Sequence, residues 1–285
     1  MLKILRVVIS LLVIIPALIL IASYIANSLF NQSVASEVKE LFNTNPQEEK
    51  KFVTKQDLEG LPPSVQKWLE HSKVVGKEKI RTVRLKQKGL MRTKPDGAWM
   101  PVEAEQYFTV DKPGFIWKAK VKMAPLVYLT GKDKYYEGKG KMQIKLLSLF
   151  PVVNAQGREI DQGTLVRYLG EIAWFPTAAL SDYISWEEID AHSARATMSY
   201  KGVTASAVFT FNEQGDLIDF TAKRYMETNG QYVLEDWSGQ TKEYREFNGI
   251  RISSKTDVIW KLKSGDFNWY KCEITDIDYN KPVIY

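Results

Sequence analysis

The segment from Val7 to Ala26 is an uncharged, mostly aliphatic run of 20 residues near the N-terminus. A helix rises about 1.5 Å per residue, so this run is long enough to cross the roughly 30 Å hydrocarbon core of a bilayer. Lys3 and Arg6 precede it, and the first basic residue after it is Lys39. Because cytoplasmic flanks carry the excess of positive charge, the sequence predicts a single-pass protein of the cytoplasmic membrane. Its N-terminus would lie inside, and the remaining chain on the periplasmic or extracellular side.

A cleavable signal peptide is the alternative interpretation of this run. Ala26 and Ser28 are small residues placed as a cut after Ser28 requires. The apolar run is longer than the roughly 7 to 15 residues of a typical signal sequence, which favours an uncleaved anchor. Both interpretations export the rest of the chain. We therefore expect an anchor at residues 1–30, a polar stalk at 31–60 and an exported domain at 61–285.

The composition limits the partners and cofactors of this domain. The 39 basic residues are interleaved with 34 acidic ones, which argues against a nucleic-acid partner. Cys272 is the sole cysteine, and there are two histidines. The sequence therefore predicts no intrachain disulfide, no metal site and no cofactor. It does not predict an oligomeric state.

From Ile80 onward the hydrophobic period changes to two, which is typical of half-buried strands. Between Phe115 and Met123, apolar residues alternate with lysines. The segment from Val102 to Val110 alternates in the same way, and the turn residues 111–114 join the two into a hairpin. Further strands are predicted at residues 83–92, 126–130, 134–139, 142–147, 194–200, 203–211, 217–225, 233–244, 250–262 and 267–279.

Two helical segments are predicted, one before the strands and one that interrupts them. In the first, Leu61 to Ser72, three apolar residues recur at helical spacing and would dock on the domain. The second spans residues 161–180, where Asp161 is suited to cap the N-terminus and Pro176 to end the helix.

About ten antiparallel strands are too many to remain flat, so we expect the sheet to curl into a barrel or half-barrel. The inserted helix would then cover the concave side. The predicted fold class is α+β: a large curled antiparallel sheet with an inserted helix, preceded by one transmembrane helix. Such a shape encloses an apolar cavity.

Several segments carry a likeness to known proteins: 61–72, 74–76, 99–101, 104–108, 159–163, 174–176, 178–180, 193–200 and 202–206. On these segments the chain resembles a bacterial family of uncharacterised, membrane-anchored proteins. The likeness spans roughly residues 60 to 225, and it implies no known activity. More distantly, the strand order with its inserted helix looks like the LolA/LolB-type periplasmic lipoprotein carriers, and that resemblance implies a half-barrel that holds acyl chains under a helical lid.

The aromatic and apolar residues of the strands and the insert are the candidate ligand-binding residues. Strand residues would form the wall of the cavity, and the aromatic pair of the insert its lid. The candidates are Trp99, Trp117, Ala119, Val121, Trp174 and Phe175.

A polar set of Glu105, Arg167 and Glu171 is the strongest candidate for chemistry. Two neighbouring carboxylates can act as acid and base. The favoured interpretation is that Arg167 and Glu171 form an ordinary i, i+4 ion pair while Glu105 faces water. We therefore assign no catalytic residue, and non-enzymatic function is favoured.

Three functions remain open at this stage. The leading hypothesis is a membrane-tethered cell-envelope protein that binds a lipid or other hydrophobic molecule in the concave face of the sheet. The alternative is a non-catalytic envelope scaffold or protein-interaction module. A hydrolase acting on envelope lipid or glycan is third.

Overall fold

The computed structural model describes residues 2–43 and 49–285. Residues 44–48, part of the expected stalk, lie outside the described residues. The described chain has three α-helices: α1 (Leu2–Asn43), α2 (Pro63–His71) and α3 (Arg158–Glu171). Its thirteen strands are β1 (Thr82–Met91), β2 (Met100–Thr109), β3 (Gly114–Ala124), β4 (Val127–Tyr136), β5 (Lys139–Leu146), β6 (Phe150–Gln156), β7 (Ile184–Asp190), β8 (Ser193–Tyr200), β9 (Val203–Phe211), β10 (Leu217–Thr228), β11 (Gln231–Phe247), β12 (Ile250–Leu262) and β13 (Gly265–Tyr279).

These strands form one antiparallel sheet in the order β6-β5-β4-β3-β2-β1-β13-β12-β11-β10-β9-β8-β7. Two runs of hairpins, β1 to β6 and β7 to β13, are joined where β1 pairs with β13. Helix α3 connects the two runs in sequence and contacts β5 in one and β9 and β10 in the other. The sheet therefore curls around α3, and the predicted α+β class with a curled antiparallel sheet is confirmed.

The strand and helix boundaries differ from expectation in three places. Segments 126–130 and 134–139 belong mainly to one continuous strand, β4, which passes through Gly131. Strands β6 and β7 were not predicted, because each is an edge strand with most residues exposed and so needs no apolar alternation. The predicted helix at 161–180 begins earlier and ends at Glu171, and two short 3-10 turns, Ile172–Trp174 and Pro176–Leu180, follow it.

Asp161 does not cap α3, since the N-cap position is Gly157. The Asp161 carboxylate instead accepts a hydrogen bond from the Gly140 backbone N–H at 2.7 Å and pairs with Lys139 at 3.0 Å. It therefore ties the helix to the β4–β5 hairpin, which a reading of local sequence does not reveal.

One end of the sheet is closed by a packed aromatic core. Phe108, Phe115, Tyr168 and Phe175 are fully buried, and the rings of Phe108 and Phe175 lie 4.7 Å apart. The Tyr168 hydroxyl donates to the Thr109 carbonyl at 2.9 Å. These contacts anchor α3 and the turns after it to β2 and β3.

Helix α1 has two parts with different surroundings. By length and composition, among the described residues, the segment Lys3–Asn43 is able to cross a membrane, and its most apolar stretch is not buried by protein. The second part lies on the outer face of the sheet, where Val34, Val38 and Leu41 pack against Tyr107 and Ile116. The predicted stalk up to residue 43 is thus helical and docked.

A carboxylate fixes this docked part of α1. The Glu37 side chain pairs with Lys132 and, at 3.3 Å, with Lys134, both on the outward face of β4. Burial works against the Glu37 charge, but the two lysines outweigh it and hold the pKa of the carboxyl below its ordinary value.

Glu37→Gln is expected to lower the free energy of unfolding by about 1 to 2 kcal/mol at pH 7, because it breaks a half-buried ion pair. A folded-state pKa below the unfolded one stabilises at pH above the ordinary carboxyl range, and that contribution disappears as pH falls through the lowered pKa. Denaturant unfolding of the full chain in mild detergent, followed from pH 7 into the acid range, measures the difference. Exposed Glu70→Gln is the control, and an equal effect of both substitutions would contradict the docking role of Glu37.

Candidate functional site

A cavity of about 350 Å³ lies inside the curled sheet, between its concave face and α3. Its origin is a row of small residues. Ala104, Ala119 and Gly131 are direct neighbours on β2, β3 and β4. Ala104 and Ala119 belong to the core inside the sheet, and Ala119 and Gly131 line the cavity. Because side chains alternate along a strand, this row leaves space where the rows on either side carry larger residues. Gly239 of β11 lines the same cavity.

The lining is mainly apolar, with aromatic and thioether groups around it. Five tryptophans and four methionines contribute, and methionine adapts its shape to irregular guests. These residues are Trp117, Trp174, Trp237, Trp260, Trp269, Met91, Met100, Met142 and Met226.

A chain of amide and indole hydrogen bonds crosses the cavity floor, above the aromatic core. The Trp117 indole N–H donates to Gln87 at 2.9 Å, and the Gln87 amide donates to Gln106 at 3.2 Å. The Gln106 amide donates in turn to Glu171 Oε2 at 2.7 Å. Each member of this chain therefore has a partner, which removes most of the cost of burying these polar groups.

An ionic group continues this chain. Arg167 Nε lies 2.7 Å from Glu171 Oε1, and its Nη1 lies 2.5 Å from Asp133 Oδ2. Burial raises the pKa of both carboxyls above their ordinary values, although Arg167 offsets part of the rise. Burial also disfavours the Arg167 charge, but Glu171 and Asp133 outweigh it and raise its pKa. The guanidinium thus neutralises two carboxylates that would otherwise be costly to bury.

Arg224, on the wall formed by β10, is a second cation in the cavity. No carboxylate of the described residues lies within 4.0 Å of its guanidinium, whose Nε donates to the Gly163 carbonyl at 3.1 Å. The guanidinium stands 4.5 Å from the centre of the Trp237 ring. Burial and the nearby Arg167 lower the pKa of Arg224 to about 10, so it remains charged at neutral pH.

Cys272 is also part of the wall, opposite Gly89 of β1. The thiol is buried, and burial raises its pKa to about 12. A thiol that is almost fully protonated at neutral pH is a poor nucleophile. Within the described residues, no group of three or more histidine, cysteine, aspartate or glutamate side chains is placed to hold a metal ion.

Four of the six residues predicted to bind ligand line the cavity: Trp117, Ala119, Val121 and Trp174. The structure places the other two elsewhere. Phe175 is fully buried in the aromatic core next to Phe108. Trp99 lies outside the cavity, under the charged groups of Arg92 and Lys271. It precedes the first residue of β2, so strand alternation does not fix its direction.

The predicted polar set does not assemble as a whole, because Glu105 lies on the opposite face of the sheet from Arg167 and Glu171. Glu105 pairs with Lys118 at 2.8 Å and accepts a hydrogen bond from the Tyr107 hydroxyl. The inward residue of this stretch of β2 is Gln106. Consecutive strand residues face opposite sides of the sheet, so Glu105, next to the inward-facing Gln106, faces outward.

Sequence reasoning missed Gln87, Gln106, Asp133 and Arg224. A signal was present for Gln106, which occupies an inward position of an otherwise apolar alternation in β2. Asp133 was hidden because the segment around Gly131 was read as a break between strands. Arg224 meets α3 only in three dimensions, and no local pattern marks it.

Two solved structures are similar to this chain in fold. A LolA superfamily protein from Nitrosomonas europaea is 10% identical, with a TM-score of 0.41 over 76% of this chain and 94% of that chain. A DUF1329 family protein from Desulfovibrio piger is 9% identical, with a TM-score of 0.41 over 78% of this chain and 93% of that chain. The first belongs to the group that the strand order resembles.

Sequence comparison is more specific. No curated protein sequence matches the chain significantly. A family model described as a family of unknown function, DUF6544, matches residues 51–272. That match covers most of the chain, including every residue that lines the cavity, and it confirms the resemblance to an uncharacterised family. The protein belongs to the DUF6544 family.

Proposed function

We propose that this protein is a membrane-tethered binding protein of the cell envelope that holds one chain of a lipid or other amphiphile in the cavity of its curled sheet. The observation that carries the proposal is an apolar cavity in a chain whose first helix is suited to cross a membrane. Helix α1 anchors the protein with its N-terminus in the cytoplasm. The β-rich domain lies on the outer side of the cytoplasmic membrane.

The size and lining of the cavity support an alkyl guest. Its volume of about 350 Å³ is roughly twice the ~150 Å³ of an engineered apolar cavity that admits benzene. The value falls at the lower end of the roughly 300 to 1,000 Å³ typical of ligand pockets. The cavity therefore suits one alkyl chain better than a complete two-chain phospholipid.

Arg224 determines which kind of polar group the ligand should carry. A cation inside an apolar cavity, with no carboxylate within ion-pair distance among the described residues, favours an anionic group on the ligand. Arg167 and Arg224 balance the charges of Asp133 and Glu171, but both carboxylates are bound to Arg167, which leaves Arg224 as the cation that a ligand can pair with. A fatty acid, or a single-chain lipid with an acidic head, supplies the complementary charge.

Titration with dibromostearate tests the proposal, because bromine quenches tryptophan fluorescence on contact and five tryptophans line the cavity. For the full chain in mild detergent we expect quenching that saturates at one ligand per chain, and none with unbrominated stearate. Arg224→Gln is expected to weaken stearate binding about tenfold, the value of one charge-assisted hydrogen bond, and to leave stearyl alcohol binding unchanged. Quenching that never saturates would reflect partitioning into detergent and would contradict the proposal.

The other two hypotheses make different predictions for the same protein. A scaffold would show no saturable quenching and would crosslink to a reproducible protein partner in cells. A hydrolase would need a carboxylate free to take or give a proton, whereas the oxygens of Glu171 are engaged by Arg167 and Gln106. We therefore assign no catalytic role to this group.

A further inference from the structure

The position of α1 on the sheet defines which end of the domain faces the membrane. The Ser23 hydroxyl is 2.9 Å from the Tyr128 hydroxyl and donates to the Leu147 carbonyl at 2.9 Å. Asn27 lies next to Ser148 at 3.3 Å. These contacts place the helix against the start of β4 and the β5–β6 turn. Both belong to the row of strand connections along one edge of the sheet, at the ends of the strands.

Ser23 lies within the predicted span of residues 7–26, three residues from its end. At about 1.5 Å per residue, that end is within roughly 5 Å of Ser23 along the helix axis. The β3–β4 hairpin and the β5–β6 turn therefore lie at the level of the lipid headgroups whenever α1 crosses the bilayer. The neighbouring Tyr24 is exposed, and tyrosine is enriched at membrane interfaces.

The mouth of the cavity opens at this same edge. Its exposed lining residues are Thr93 in the β1–β2 loop, Glu227 at the end of β10, and Tyr232 at the start of β11. In an antiparallel sheet alternate connections lie on the same edge. The β1–β2, β3–β4, β5–β6 and β10–β11 connections therefore share the edge at which α1 leaves the domain.

Apolar side chains project from this edge into solvent. Leu126 is 72% exposed at the tip of the β3–β4 hairpin, and Phe150 is 53% exposed beside the β5–β6 turn. Met123, Val152 and Val233 are also exposed, in the strand ends next to these connections. Leu126 adopts a φ of +63°, a left-handed conformation that turns usually assign to glycine or asparagine. This left-handed turn places an exposed leucine at the hairpin tip, where its side chain is more favourable in a bilayer interface than in water.

Basic residues flank the same tips. Lys122 precedes Met123, Lys145 lies on β5 close to the β5–β6 turn, and Lys263 occupies the β12–β13 turn. Lysines beside apolar tips match the anionic headgroups and the acyl region of one lipid leaflet. A docking site for a protein partner would not need to lie where α1 enters the bilayer, whereas a membrane-contact site must.

We infer that this edge of the domain rests in the outer leaflet of the membrane that α1 spans, with Leu126 and Phe150 inserted among the headgroups. The cavity mouth then opens onto that leaflet. A lipid chain passes between bilayer and cavity without crossing water. The membrane contact rests on the proposed span of α1, and the exchange route rests on the proposed ligand binding as well.

The test uses the full chain reconstituted into vesicles of equal parts phosphatidylcholine and phosphatidylglycerol. Leu126→Cys and Phe150→Cys each receive an environment-sensitive fluorophore, and Gln214→Cys, exposed on the β9–β10 turn at the opposite edge, is the matched control. Because Cys272 is buried with a raised pKa, labelling at pH 7 is confined to the introduced thiol. Lipids brominated along their acyl chains should quench the probes at 126 and 150 several-fold more than the probe at 214. Equal quenching at all three positions would overturn the inference.

A second measurement separates this inference from the proposed function. Leu126→Asp combined with Phe150→Asp should slow transfer of a brominated lipid from vesicles to the cavity several-fold, while binding of octanoate from solution is unchanged. Failure of octanoate to bind the unmodified protein would reject ligand binding but leave the probe result to decide the membrane contact. Normal octanoate binding with unquenched probes would reject the membrane contact alone. A protein crosslinked to residue 126 in place of lipid would also overturn it.

Discussion

Ala119→Phe is expected to abolish ligand retention while leaving the protein folded. Ala119 points into the cavity from the row of small residues it forms with Ala104 and Gly131. A phenyl ring there displaces about four methylenes of a guest chain, each worth about 0.8 kcal/mol. The affinity for stearate should therefore fall by about 100-fold or more. Saturable quenching by dibromostearate measures the loss directly.

The same substitution should change stability little. Overpacking costs about 1 to 3 kcal/mol in a filled core, but here the ring enters existing space, and we expect a loss of about 1 kcal/mol or less. Ala191→Phe, on the exposed β7–β8 turn, is the matched control and should retain ligand. Full ligand affinity in folded Ala119→Phe would mean that ligand does not occupy this cavity.

The orientation of side chains in the sheet was largely predictable from sequence. Alternation along β3 places Trp117, Ala119 and Val121 inward and the intervening lysines outward, as the structure has them. Strand pairing preserves this alternation across neighbours, so one well-patterned strand constrains the two beside it. The curled α+β architecture follows from the number of such strands.

The contents of the cavity were not predictable in the same way. Whether Ala104, Ala119 and Gly131 form one row depends on the registers of β2, β3 and β4, which sequence alone does not set. The ion pairs of Arg167 were unpredictable for a similar reason. Arg167 and Glu171 lie close together in sequence, but Asp133 reaches Arg167 only because the sheet curls around α3. Glu105 shows the converse error, since closeness in sequence to inward residues did not place it inward.

Arg167→Met is expected to be the most destabilising of the substitutions considered. Arg167 is the one guanidinium within 4.0 Å of Asp133 and Glu171 among the described residues. Its removal leaves two largely buried carboxylates without an ion-pair partner, and breaking a buried pair from one side costs about 3 to 5 kcal/mol. Arg195→Met is the control, because Arg195 pairs with Glu187 on an exposed surface, where the loss should be about 0.5 kcal/mol. Denaturant unfolding of the full chain in mild detergent compares the two.

The pH dependence of this loss gives an independent check on its cause. Burial already raises the pKa of Asp133 and Glu171, and without Arg167 both values should rise further. A carboxyl whose folded pKa exceeds its unfolded pKa binds more protons when folded, so its penalty grows as pH rises through that interval. The deficit of Arg167→Met should therefore be largest at pH 8 and shrink towards pH 5, as the carboxyls become neutral. A deficit independent of pH would instead point to lost packing of the arginine against the rings of Phe115 and Trp117, which lie 5.0 and 4.9 Å from its guanidinium.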